Sequence, residues 1–237
     1  MIRRARLVAT ALLLFVALAV PAVLDAQQAS HKKPITHDVY DTWRAIQGTT
    51  LSRDGGWLAY ALVAQDGDGE LVVRNLKTGA EQRVARGREP VFTADGRFLA
   101  YAITPPKADT DKAKKAKKKA DEMPKAGVGV IDLSTGQATV VAEHVKSFKV
   151  PEGSSRYLFA LLTAPEKKAA DKPADKPADS TVPEKKTKKI DPGTELVIRD
   201  LTTGALATIP EVSEFTAAKD ASWVVYATAS TTAASDG

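Results

Sequence analysis

The segment LSRDGGWLAYAL, residues 51–62, returns 41 residues later as FTADGRFLAYAI, residues 92–103. Weaker copies follow as VPEGSSRYLFALL at residues 150–162 and FTAAKDASWVVYAT at residues 215–228. In each copy a polar turn separates a short apolar strand from a second strand in which aromatic and aliphatic residues alternate. This pattern predicts a β-hairpin that recurs along the chain.

A second unit alternates with the first. It reads LVVRNLKTGAEQRV at residues 71–84, VGVIDLSTGQATVV at residues 128–141 and LVIRDLTTGALATI at residues 196–209. Each copy has a Thr-Gly pair at its centre, where glycine can take the positive φ of a tight turn. Two hairpins in tandem make a four-stranded unit, and the 41-residue interval lies within the range of about 40–45 residues of a four-stranded propeller blade.

Two lysine-rich tracts lengthen the later repeats. Residues 105–126 and 164–192 both lie between the second and third predicted strands of their blades, where blade one has only the short link 63–69. Their lack of large apolar side chains predicts disorder, with fluctuating helix in the first tract. We therefore predict an all-β, partial β-propeller over residues 49–237, with about three and a half four-stranded blades and two disordered insertions.

The amino terminus predicts export. Arg3, Arg4 and Arg6 precede the apolar run Leu7–Val20, and Pro21 and Ala26 suit cleavage of a signal peptide over residues 1–26. A lead-in segment over residues 27–48 then precedes the propeller. We expect a periplasmic or extracellular protein with no membrane span after cleavage; the alternative keeps the apolar run as a membrane anchor.

The composition narrows the chemistry. The chain has no cysteine, so disulfides, thiolate metal sites and a cysteine nucleophile are excluded. The net charge of +5 comes from the two tracts and the signal peptide, which leaves the predicted folded part net negative. We therefore expect no nucleic-acid partner.

The stretch ITHDVYDTWRAIQGTTLSRDGGWLAYAL, residues 35–62, with the repeats that follow, resembles the N-terminal region of secreted bacterial members of the prolyl oligopeptidase family of serine peptidases. The resemblance extends from Ile35 to about Ala227, outside the two tracts. It implies a substrate-gating propeller cap, peptide substrates and a downstream α/β-hydrolase domain that carries the catalytic Ser, Asp and His.

Two expectations qualify this resemblance. The repeat S-x-D-G-x-x-x-A-Y also occurs in TolB-like propellers, so the alternative is a non-enzymatic periplasmic propeller that binds a protein partner. The predicted fourth blade stops after two strands, at Gly237. We expect the chain to be a fragment of a longer polypeptide, because an open propeller end exposes strand edges and apolar faces.

A few residues are candidates for a catalytic site. A nucleophile elbow needs G-x-S-x-G; the nearest sequence, Gly153-Ser154-Ser155, lacks the second glycine and lies in a predicted hairpin turn. The histidines His31, His37 and His144 have no credible serine and carboxylate partners. We predict no catalytic residue within this chain, whose own enzyme status is left open.

Two further sets of residues, one acidic and one aromatic, can be interpreted either as a binding site or as part of the structure. Asp66, Asp68 and Glu70 alternate with glycines and suggest calcium ligands, but Asp-Gly is also a good turn, and we predict no metal or cofactor. The recurring aromatic residues suggest either a stacking platform or packing between blades, and we favour packing. These residues are Trp57, Tyr60, Phe98, Tyr101, Tyr157, Phe159, Trp223 and Tyr226.

Overall fold

The computed structural model describes residues 39, 43–120, 122–163 and 193–229, and all of its strands lie in the compact unit Asp41–Gly237. The first sheet has four antiparallel strands in sequential order: β1 (Arg44–Leu51), β2 (Trp57–Ala64), β3 (Glu70–Asn75) and β4 (Glu81–Ala85). We call this sheet blade one.

The remaining eight strands form a second antiparallel sheet, also in sequential order. They are β5 (Gly87–Phe92), β6 (Phe98–Ile103), β7 (Ala126–Asp132), β8 (Gln137–Lys149), β9 (Tyr157–Leu162), β10 (Thr194–Asp200), β11 (Leu206–Ala217) and β12 (Val224–Thr228). One helix, α1 (Lys107–Lys115), lies between β6 and β7.

Two long strands of this sheet each belong to two consecutive blades. β8 pairs with β7 through its first half and with β9 through residues 145–149, and its pairing register shifts between Val145 and Ser147. β11 repeats the arrangement with β10 and β12. Blade two is therefore β5, β6, β7 and the first half of β8. Blade three runs from the second half of β8 to the first half of β11, and the last hairpin, residues 212–228, begins a fourth.

A positive φ marks each passage from one blade to the next. Arg86, His144 and Glu211 have φ of 60°, 55° and 59°. Each offers its carbonyl oxygen to the residue just after the second strand of the new blade, and the N···O distances are 2.9 Å from Thr104, 2.6 Å from Thr163 and 2.8 Å from Ala229. Three repeats thus share one backbone turn despite having different side chains there.

The core lies between blades rather than within one sheet. Blades one and two enclose Leu71, Val73, Leu99, Tyr101 and Ile131. The corresponding clusters lie between blades two and three and between blade three and the last hairpin; their central residues are Phe98, Val128, Leu158 and Ala160 in the first and Phe159, Leu161, Leu196 and Val212 in the second. Stacked antiparallel four-stranded units with interlayer cores confirm the predicted all-β partial propeller.

Antiparallel pairing gives every blade two ends. The turn face carries the links between first and second strands and between third and fourth strands. The loop face carries the links between second and third strands, together with the passages between blades. Both lysine-rich tracts lie in the second-to-third link of their blade, as the sequence predicts, so both leave from the loop face.

Two boundaries differ from the expectations. The predicted lead-in, residues 27–48, contains the first part of β1, which begins at Arg44. The strand pattern is hidden there because Gly48, at φ 60°, forms a bulge that breaks the alternation. Within the tract predicted to be disordered, residues 105–126, the structure has the helix α1. Residues 164–192 and the predicted signal peptide lie outside the described residues. Within the described residues, no helix is both long and apolar enough to span a membrane.

Candidate functional site

The serines nearest to a nucleophile motif hold a turn together. The Ser155 hydroxyl oxygen accepts the backbone N–H of Asp95 at 2.8 Å, which ties the first hairpin turn of blade three to that of blade two. The Ser154 hydroxyl oxygen accepts the N–H of Arg156 at 3.3 Å. Both hydroxyls therefore have structural partners on the turn face.

His144 lies at the passage into blade three, where its side chain is exposed. Ser154 and Ser155 lie on the turn face, whereas His144 lies on the loop face, at the opposite end of the same blade. The structure therefore does not bring these candidates together. His31 and His37 lie outside the described residues.

The three acidic residues that are candidate calcium ligands form ion pairs or hydrogen bonds with nitrogen groups of the protein. The Asp66 carboxylate pairs with the Lys107 ammonium group, and the Asp68 carboxylate accepts the Lys107 backbone N–H at 2.8 Å. Glu70 pairs with Arg44 and with Arg83, the latter at 2.8 Å. Within the described ranges no group of three metal-ligating side chains converges.

These contacts attach α1 to the loop face of blade one. Pro106, which precedes the helix, has no side chain that can cap it. Asp68 of blade one caps the helix instead by accepting the backbone N–H of Lys107. Ala113 is the buried residue of the helix. The lysines at 112, 114, 115, 117, 118 and 119 are exposed, and their ammonium groups pair with no carboxylate among the described residues.

The turn face carries a charged pair that repeats. The Arg97 guanidinium lies 3.5 Å from the Asp132 carboxylate, and Arg156 Nε lies 2.9 Å from the Asp200 carboxylate. Each arginine also covers the aromatic ring of the next residue, at 4.8 Å for Phe98 and 5.0 Å for Tyr157. Hydrogen bonds and the neighbouring arginine lower the pKa of both carboxyls. The pKa of Asp200 falls to about 2, and the hydrogen bond from the Thr203 N–H is the largest cause.

Sequence reasoning missed these pairs, although a signal was present. An arginine stands just before the second strand in blades two and three, and an aspartate ends the third strand of the same blades. Blade one has Gly56 and Asn75 at these positions, so the pattern emerges only when the later repeats are aligned with each other.

Five of the eight recurring aromatic residues lie in or beside the clusters between blades, and Tyr60 is half-buried outside these clusters. Phe98, Tyr101 and Phe159 are almost fully buried between blades, and Trp57 and Tyr157 pack at the edges of the same clusters. Packing between blades is confirmed for these residues. Trp223 and Tyr226 are instead 56% and 41% exposed. Both belong to the last hairpin, beside which the described residues contain no further blade, so packing between blades stays a prediction for these two.

A cleft opens on the turn face between blades two and three. Its volume is about 240 Å³, and its lining includes Phe98, Val130, Asp132, Thr139 and Arg199. Of its lining, only Phe98 is a candidate from the sequence, as part of a possible stacking platform. The polar lining was missed because it comes from two hairpins about 70 residues apart.

Comparisons with known proteins concern the fold. No protein-family model and no curated protein matches this sequence. Similar solved structures include the β-propeller domain of the Trilobed protease from Pyrococcus furiosus, at 15% identity and a TM-score of 0.45, with 73% of this chain and 45% of that chain covered. Acylaminoacyl peptidase from Pyrococcus horikoshii is similar at 15% identity and a TM-score of 0.46, with 79% and 28% covered.

TolB from Acinetobacter baumannii is also similar, at 11% identity and a TM-score of 0.38, with 79% of this chain and 39% of that chain covered. The chain thus spans less than half the length of each of these three chains. These likenesses concern the fold alone.

Proposed function

We propose that this chain is the substrate-gating propeller of an exported serine peptidase of prolyl oligopeptidase type, whose catalytic domain lies outside this sequence. One observation carries the proposal: both long insertions leave from the same face of the blades, while the links that the structure describes on the opposite face have at most seven residues. Insertions restricted to one face of a repeat protein mark the face that meets other molecules.

The geometry of α1 supports a gate at the loop face. The helix lies over the 65–69 link of blade one and is attached there through Lys107, Asp66 and Asp68. The passages into the first strands of blades two and three lie on this face as well, at Arg86 and His144. Bulk placed here narrows the approach to the first strands. A cap of this kind admits short peptides, slows the entry of long unfolded chains and excludes folded proteins.

The test uses the protein expressed from its complete gene. We expect it to react with a fluorophosphonate serine-hydrolase probe and to cleave short prolyl peptides. Replacement of residues 104–125 by the five-residue link QDGDG of blade one should leave the rate on a short peptide within about twofold. The same change should raise cleavage of long, unfolded casein severalfold, because the approach widens.

The matched control replaces Lys112, Lys114 and Lys115 with Gln, which keeps the insertion and its attachment through Asp66 and Asp68, and should leave both rates unchanged. A complete protein without probe labelling or peptide hydrolysis would contradict the peptidase and favour the TolB-like binding propeller. Labelling with no change in the ratio of casein to peptide cleavage would contradict the gate alone.

A further inference from the structure

The cleft between blades two and three has an apolar floor and a polar rim. Phe98, Val130 and Leu201 form the floor and are each less than 10% exposed. The rim residues are Asp132, Gln137, Thr139, Arg199, Thr202, Thr203 and Gly204. Such a combination of buried apolar surface with a few polar groups is typical of ligand sites.

The repeat explains why the cleft is open at this junction. At the junction of blades one and two, the Gln82 side-chain amide donates a hydrogen bond to the Gly136 carbonyl oxygen at 2.8 Å and bridges the two hairpins. Gln82 pairs with Val73 in β3, and Thr139 pairs with Val130 at the equivalent place in β7. Thr139 is two heavy atoms shorter than glutamine, so the junction of blades two and three has no such bridge.

Arg199 supplies an unused charge on the rim. Its equivalent in blade one, Arg74, pairs with Glu81 on the neighbouring strand at 3.5 Å. In blade three Leu206 occupies the position of Glu81, opposite Arg199. Within the described part of the chain, the Arg199 guanidinium therefore makes no hydrogen bond or ion pair.

The other charges of the rim are already matched. The Asp132 carboxylate accepts the N–H and the hydroxyl of Ser134 and lies 3.5 Å from the Arg97 guanidinium. The Gln137 amide and the Thr139 and Thr202 hydroxyls add neutral donors. One positive charge thus remains beside an apolar floor, and a guanidinium suits a carboxylate because it presents parallel N–H donors.

We propose that this cleft binds a carboxylate on an apolar stem, with the carboxylate against Arg199 and the stem on Phe98, Val130 and Leu201. Its volume is below the range of about 300–1,000 Å³ of sites for small molecules and cofactors, and fits a single residue of a peptide. The ligand is therefore the C-terminal residue or an acidic side chain of a peptide. This site is independent of the proposed function, because it lies on the turn face and is tested with this chain alone.

The experiment is a titration of the ¹⁵N-labelled full chain, followed by amide chemical shifts. The chain carries Ile46→Lys and Val225→Lys, which remove exposed apolar residues outside the cleft and keep it monomeric. The probes are acetyl-Gly-Leu with a free carboxylate, its C-terminal amide, and acetyl-Leu-Glu-amide. We expect the amide signals of Thr202, Thr203 and Gly204 to move with at least one of the two carboxylate peptides and not with acetyl-Gly-Leu-amide. The free-carboxylate peptide reports a chain terminus, and acetyl-Leu-Glu-amide reports an acidic side chain.

Two variants test the assignment, and one provides a control. Arg199→Gln should weaken binding by about tenfold or more, the effect of losing a charge-assisted hydrogen bond. Thr139→Gln should abolish binding by filling the cleft as Gln82 fills the junction before it. Arg74→Gln removes the equivalent arginine of blade one and should leave binding unchanged. Equal shifts with the amide peptide, unchanged binding by Arg199→Gln, or unchanged binding by Thr139→Gln would each overturn the proposal.

Discussion

Asp200 shows at the scale of one residue how the repeat stabilises its turns. Its carboxylate accepts the N–H groups of Thr202 and Thr203 at 2.9 and 3.0 Å and the Arg156 guanidinium at 2.9 Å. The equivalent residue of blade one is Asn75, which accepts the N–H groups of Lys77 and Thr78. Asparagine therefore suffices for the turn, and the aspartate adds the ion pair.

We expect Asp200→Asn to preserve the fold and to change the pH dependence of stability. The pKa of Asp200 is lowered from 3.8 to about 2 by the N–H of Thr203 and by Arg156. A carboxyl with a lowered pKa stabilises the fold above the ordinary value, and this contribution is lost as the pH falls from about 4 to about 2. The variant should melt a few degrees lower at pH 7, and this difference should shrink steadily as the pH falls towards 2.

Thermal melts followed by circular dichroism between pH 2 and pH 7 measure this difference. Asp109→Asn is the matched control, since that carboxyl makes no hydrogen bond or ion pair with the residues that the structure describes. A gap between Asp200→Asn and wild type that stays constant down to pH 2 would contradict the assignment to this carboxyl.

His144 gives a second prediction at the residue scale. Its φ of 55° suits glycine, and a β-branched residue is strongly disfavoured there. We expect His144→Gly to be as stable as the wild type or up to about 1 kcal/mol more stable, and His144→Val to be about 1–2 kcal/mol less stable. Urea unfolding measures both. The neighbour Glu143 lies in extended strand, so glycine and valine there should rank in the reverse order; the same order at both positions would contradict this explanation.

At the scale of elements, the hairpins were predictable because each carries its own signals. Alternating apolar residues and Thr-Gly or Asp-Gly turns place β2, β3, β6, β7, β9 and β10 closely. The first strands were harder to place, since Gly48 and Glu89 lie in bulges that interrupt the alternation. The continuity of β8 and β11 across two blades rests on backbone turns at His144 and Glu211, where the side chains give no turn signal.

From its own residues helix α1 is predicted only as a fluctuating helix, and its stability depends on contacts from elsewhere. It has nine residues, too few for stability in isolation, and its cap and ion pair come from Asp68 and Asp66 of another blade. The cleft is also hard to predict from local sequence, since its polar groups come together only when the hairpins of two blades stack. Local sequence patterns reveal elements, whereas contacts between distant elements require the fold.

We expect Asp68→Ala to loosen α1 without affecting the blades. Loss of the carboxylate that accepts the Lys107 N–H removes a cap contribution of about 1 kcal/mol, which corresponds to about fivefold faster amide exchange in the helix. Hydrogen exchange at Thr110–Ala116 measures the effect. Glu195→Ala, an exposed acidic residue on β10, is the control and should leave helix exchange unchanged. Equal protection in Asp68→Ala and wild type would show that α1 does not depend on this contact.

At the scale of the whole molecule, the two end layers expose apolar residues on their outer faces. Ile46 and Leu51 are 64% and 55% exposed on the face of blade one that points away from blade two. Trp223 and Val225 are 56% and 60% exposed on the last hairpin. The blades between them cover equivalent faces with each other, so these outer faces have the chemistry of blade junctions without a neighbouring blade in the described structure.

We therefore expect the chain on its own to self-associate through these outer faces. Sedimentation velocity at about 5 and about 100 µM should show species larger than a monomer that grow with concentration, because removal of apolar area from water favours association by roughly 25 cal/mol per Å². The double variant Ile46→Lys and Val225→Lys should shift the distribution towards monomer. The matched control, Val140→Lys and Leu206→Lys, adds the same charge at residues that are 56% and 54% exposed on β8 and β11. If both pairs dissolve the assemblies equally, net charge rather than the outer faces governs association. A wild-type monomer at every concentration would mean that these faces do not drive association.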